Sequence, residues 1–160
     1  DSPKITNIKI KNNTVTLDVT GGLPPYKFSK DALVWQDSNV FNNLKRGENI
    51  FYVKDAYDCN PISIIVTVPN LVNAITPNGD EINDVINYYE LSYKKNLVFT
   101  VYNRYGNQIF KADSSNNYTW DGKSYGKNVN TGVYWYTIKW NEPESNVPVE
   151  YSGWILLKNQ

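Results

Sequence analysis

The feature that most constrains this chain is its hydrophobic period of two. Val15, Leu17 and Val19 alternate with Thr14, Thr16 and Asp18, and this pattern places one face of a strand inward and the other outward. Ile5, Ile8 and Ile10 make a β-like run before it, with Asn12-Asn13 as a hairpin turn between the two. Gly21-Gly22 and Pro24-Pro25 then break the chain before Tyr26-Lys27-Phe28. Asn49 to Lys54 sets Ile50 and Tyr52 against Phe51 and Val53, which reads as a strand covered on both faces. Ile62 to Val68 is a β-branched run bounded by Pro61 and Pro69. No stretch carries a 3.6-residue period over 11 residues, so helices are not expected.

The same pattern continues after Pro69-Asn70. Val72 to Ile75 leads into a polar turn cluster, Thr76 to Glu81, and strands are expected over Leu97 to Tyr102, Asn107 to Phe110, Gly132 to Trp140 and Glu150 to Leu157. Aromatic side chains on both parities of Val133 to Trp140 predict a central strand covered on both faces. Asn141 to Pro148 reads as the loop joining two long hairpin strands. With 160 residues and about 150 per domain, length allows one domain or two small ones, and Pro69-Asn70 closes a first unit. The expectation is all-β: two Ig-like antiparallel β-sandwiches in tandem, residues 1–71 and 72–160.

Composition narrows the chemistry. The 16 basic side chains balance 16 acidic ones, which argues against nucleic acid or an anionic membrane as the main partner. No apolar run approaches the ~20 residues of a membrane helix, so no membrane insertion of its own is expected. Histidine is absent, which removes the commonest general base and metal ligand. The single Cys59 has no activating base in view and reads as an inert thiol. Carboxylate pairs such as Asp80 with Asp84 sit in turn-forming strings, and enzyme activity is not expected. Methionine is also absent, so the chain is expected to be cut from a larger protein.

Two readings are open for Pro77 to Asp84. Asn78, Asp80, Asn83 and Asp84 offer oxygens at short spacing around Gly79, donors that suit calcium, although the EF-hand spacing is not met. The same side chains suit an Asx-turn network that satisfies its own backbone amides. The five tryptophans invite a sugar-stacking reading. Core packing is favoured for Trp135 and Trp154, and Trp120 beside Asp121-Gly122 reads as a turn anchor.

A resemblance adds to this. Thr76-Pro77-Asn78-Gly79-Asp80 with Asn83-Asp84 resembles the "TPNGDG-ND" opening of the gliding motility-associated C-terminal domain. In order, Val101 to Gly106, Trp120-Asp121-Gly122, Gly126 to Tyr136 and Gly153 to Lys158 resemble its remaining motifs across about 88 residues. That family is the type B sorting domain of the type IX secretion system of Bacteroidota. Here Glu81 stands where the family usually has a second glycine, which makes a positive-φ turn costlier, and Asn130 stands where proline is common. The first unit is similar to gliding-adhesin repeats of the SprB type, on Gly21 to Ser29, Trp35-Gln36 and Tyr52 to Asp55. Such repeats often pair a cysteine at the position of Cys59; no second cysteine exists here, which implies an unpaired thiol.

The resemblance implies the C-terminal region of a large cell-surface gliding adhesin, exported across the outer membrane to the surface or medium. Its partners would be outer-membrane type IX components, a PorP/SprF-like protein and the translocon, and the adhesin's own ligand a polysaccharide. Contact is expected through exposed turns, Asn103-Arg104-Tyr105-Gly106 and Trp120-Asp121-Gly122, or by strand addition at an edge. Arg104 is read either as a clamp for a partner carboxylate or as half of an internal pair with an aspartate. The alternative function is a calcium-assisted carbohydrate-binding or adhesive module, with the metal on Asn78, Asp80, Asn83 and Asp84.

Overall fold

A computed structural model of the chain describes residues 2–57, 60–69 and 74–159. Cys59 and the expected boundary at 71/72 lie outside the described residues. The chain divides into two compact units, Asp1–Asn70 with Val147–Val149 and Leu71–Asn146 with Glu150–Gln160. Among the described residues regular structure is almost wholly strand, joined by two single 3₁₀ turns, Tyr89–Leu91 and Ser114–Asn116. The fold is all-β with antiparallel sheets, of the Ig-like sandwich type.

In the first unit β1 (Lys4–Lys11) and β2 (Thr14–Thr20) form a hairpin, and β4 (Val40–Phe41) joins the free edge of β2. The turn is where Asn12 adopts φ 59°, a left-handed conformation that asparagine tolerates. The register of β1 slips between Ile5 and Asn7. This bulge explains why Ile5 falls on one parity and Ile8 and Ile10 on the other. A second sheet is ordered β3 (Lys27–Ser29), β5 (Gly47–Lys54), β6 (Ile62–Val68). Val15, Leu17, Phe41, Phe51 and Val53 are buried, and the rings of Phe41 on β4 and Phe51 on β5 meet at 4.8 Å, tying the two sheets together. Strand β5 is covered on one face only: Phe51 and Val53 are fully buried, whereas Ile50 is 41% exposed. The two-sided expectation fails there because the Ile50 face is only partly covered: Tyr52 and Lys54 on it are half-buried, with Lys54 Nζ 4.3 Å from the Trp35 ring centroid.

In the second unit the main sheet runs β10 (Gln108–Ala112), β9 (Lys95–Tyr102), β14 (Gly132–Asn141), β15 (Pro148–Leu157), with β7 (Ala74–Ile75) parallel to the end of β15. Short pairs complete it: β8 (Ile86–Asn87) with β11 (Thr119–Trp120), and the hairpin β12 (Lys123–Ser124) with β13 (Lys127–Asn128). Strand β14 is central, as expected, but covered on one face. Tyr134, Tyr136, Ile138 and Trp140 point into the core, whereas Val133 and Trp135 are 47% and 49% exposed. Trp154, also expected in the core, is 44% exposed. The core is instead made by an aromatic cluster on the opposite parity, Tyr88, Phe99, Tyr136 and Tyr151, with neighbouring centroids 5.3–6.2 Å apart.

Candidate functional site

The sharp turn after β9 is built by one side chain. Asn103 Oδ1 accepts the amides of Tyr105 and Asn107, its own N–H donates to the Asn107 carbonyl, and Gly106 N–H returns to the Asn103 carbonyl. Gly106 takes φ 81°, a conformation that suits glycine. The ordered turn therefore presents Arg104 and Tyr105 to solvent. Arg104 Nη2 donates to the Tyr105 hydroxyl at 2.8 Å, and the guanidinium carbon lies 4.9 Å from the Tyr105 ring centroid. No carboxylate among the described residues pairs with it; the internal aspartate partner weighed from sequence is not among its contacts.

The turn forms one wall of a cleft of about 490 Å³. Asn103, Arg104, Tyr105 and Ile109 line one side, and the segment from Asn128 into the start of β14 lines the other. The floor is Tyr134, whose hydroxyl donates to the Asn130 carbonyl at 2.5 Å. Burial raises the Tyr134 pKa, and the positive charge of Arg104 opposes that rise. The Asn130 segment is held from outside: Asn159 donates its amide to Thr131 Oγ1 at 2.9 Å and its side-chain nitrogen to the Val129 carbonyl. No sequence motif places the far wall beside this turn. Antiparallel neighbours β9 and β14 bring the exit of one beside the entry of the other, and only the register reveals that.

The second expected contact turn is mostly interior. Trp120 is fully buried against Phe110 and Tyr134, and its Nε1 donates to the Lys123 carbonyl at 3.0 Å. Gly122 is buried with φ 81°, and a Cβ there would come within 2.9 Å of Leu157 Cδ1 and 3.0 Å of Pro77 Cγ. Trp120 and Gly122 thus build the turn, and Asp121 is its exposed member.

In the loop before β8, Asp84 Oδ1 accepts the amides of Asn78 and Gly79, and Oδ2 accepts that of Glu81 at 2.7 Å. Asn78 Oδ1 accepts the Asp80 amide, and Asp80 Oδ1 the Ile82 amide. The Asn78 and Asp80 contacts are Asx turns, and Asp84 is the hub that gathers the loop's earlier amides. The pKa of Asp84 is lowered: burial opposes the shift, and the three amide hydrogen bonds outweigh it. Among the described residues no group of three or more His, Cys, Asp or Glu side chains is placed to hold a metal ion. Asn83 contributes backbone, its carbonyl accepting the Thr76 amide.

Residues 68–157, more than half of the chain, match the CHU_C type IX secretion signal domain. The chain belongs to this family. As a type IX secretion signal domain it marks its carrier for export across the outer membrane, and its role is one of interaction with the secretion machinery, typically without catalysis. The crystal structure of dimeric latent PorU from Porphyromonas gingivalis is similar over 100% of this chain and 20% of its own, at 16% identity and a TM-score of 0.33. The chain thus spans a fifth of that protein. No curated protein matches the chain. No helix among the described residues is long and apolar enough to cross a membrane.

Proposed function

We propose that this chain is the sorting region of a large cell-surface gliding adhesin: an adhesin repeat of the SprB type over residues 1–71, then a type B sorting domain over 72–160 that carries the protein through type IX export. The observation behind it is the family match over residues 68–157, whose motif residues form an ordered, exposed turn at Arg104 and Tyr105. A sorting signal of this kind is read as a folded shape, unlike a linear leader. Its readers are a PorP/SprF-like membrane protein and the translocon, and contact runs through Asn103 to Gly106 and the Asp121 turn. Support for the adhesin half comes from Gly22: a Cβ there would meet Asp55 Oδ2 at 2.4 Å, and that carboxylate accepts the Leu23 amide, so two motif segments of the repeat depend on each other. The test is a fluorescent reporter fused ahead of the full chain, expressed with and without a working type IX system. Reporter outside the cell only with the system, and lost when residues 72–160 are deleted, is the expected result. Retention in both strains refutes the sorting role.

A second reading, a carbohydrate-binding module, is favoured by one observation. Trp135 and Trp154 stand half exposed on the sheet's outer face, with Tyr102 opposite Trp135 in the ladder, and such ring faces stack on pyranoses. Its calcium component would use Asn78, Asp80, Asn83 and Asp84, and would need to draw the Asp84 oxygens away from three amides. Tryptophan fluorescence titrated with linear glycans, with melting in EGTA and in calcium, tests each half.

A further inference from the structure

The cleft beside Arg104 carries a specific ligand chemistry. Its one full charge is a guanidinium that already rests on Tyr105 and has no carboxylate partner among the described residues. Among the described residues no acidic side chain lines the cleft, so its field favours an anion. Nor does a second basic residue among the described ones line it. That suits a carboxylate, which a single planar fork engages in two parallel hydrogen bonds, better than a phosphate group or a polyanion. Between the polar groups Ile109, Val129 and Val133 add apolar wall, matching a ligand that alternates charged and aliphatic side chains.

The backbone supplies the other half. The ladder of β14 with β9 begins at Trp135 opposite Tyr102, so Gly132–Tyr134 run past the end of β9 beside the cleft. Among the described residues no backbone hydrogen bond joins them to the 103–107 turn. This is a short open strand edge next to a fixed cation, and an extended peptide satisfies both.

We propose that this cleft binds an extended peptide bearing an Asp or Glu side chain, its carboxylate on Arg104 and its main chain along Gly132–Tyr134. The origin of the peptide in the secretion machinery rests on the sorting reading above; the chemistry of the cleft does not.

The test is nuclear magnetic resonance on the labelled full chain, titrated with acetyl-Val-Asp-Val-Asp-Val-amide. Saturable shifts are expected at the Arg104 side-chain N–H and at the Gly132 and Val133 amides. Arg104→Gln should weaken binding on the order of tenfold, with the rest of its spectrum unchanged. The matching Asn peptide should bind no better than that variant does. Equal binding of the Asn peptide, shifts located elsewhere, or equal displacement by inorganic phosphate would each overturn the proposal. Reporter export separates the two ideas: a wild-type chain that is not exported sinks the sorting reading, whereas export without localised peptide binding sinks only the cleft.

Discussion

Asp84 shows how one carboxylate organises a loop. It accepts three backbone amides from Asn78, Gly79 and Glu81, and these bonds favour its charged form. Its folded pKa therefore lies below the ordinary 3.8, and the sign follows. The stabilisation is fully present above that ordinary value and is lost as pH falls through the lower folded one. Asp84→Asn keeps a single acceptor oxygen, so it should melt below wild type at neutral pH, with the gap closing in acid. A gap of constant size across an acid titration of melting temperature would show that charge is not involved. Beside it, Glu81 adopts φ 64° where the family usually carries glycine. A left-handed conformation costs a non-glycine residue roughly 1–2 kcal/mol, offset in part by the entropy glycine loses on folding. Glu81→Gly should gain about 1 kcal/mol in urea unfolding, and Glu81→Ala should gain nothing.

Elements in the second unit are pinned by a pair that no local pattern announces. Lys94 follows the 3₁₀ turn Tyr89–Leu91, and Glu142 follows β14. Their side chains meet at 2.8 Å with only 4% and 11% exposure, and Glu142 Oε2 takes the Trp140 indole N–H at 2.6 Å. Desolvation makes such a pair a weak source of net stability, but losing one member strands the other charge. Glu142→Gln should cost about 3–5 kcal/mol, and Lys94→Met added to it should recover part of that loss in a double-mutant cycle of denaturant midpoints. The partners lie 48 residues apart, so period and motif could not reveal them. The long strands were legible because alternation needs only a few residues to show. Strands of two residues, such as β4, β8 and β12, are too short to display a period, and they form only because neighbours supply the ladder. Trp135 and Trp154 misled for a physical reason: aromatic residues favour half-open sheet surfaces as readily as cores. At the candidate site the Asn103 to Gly106 turn was legible as a motif, whereas its opposite wall depended on the β9–β14 register.

For the whole molecule, a sorting signal read as a folded shape differs from a linear one in what damages it. Two classes of residue follow from the structure. Gly122 and Glu142 maintain the fold: a Cβ at Gly122 presses on Leu157 and Pro77, and Glu142 neutralises a buried lysine. Among the described residues Arg104 has no side-chain partner other than Tyr105, on which it stacks and to whose hydroxyl it donates, and it projects from a turn that Asn103 holds. Export of the full-chain reporter and melting temperature of the purified chain, measured on the same variants, should therefore separate. Gly122→Ala and Glu142→Gln should lower both together, and export of Glu142→Gln should recover at a growth temperature below its melting point. Arg104→Ala should lower export with melting close to wild type. Export that persists for Glu142→Gln well above its melting temperature would point to a linear signal. Arg104→Ala with a large loss of melting temperature would move that guanidinium from contact to structure.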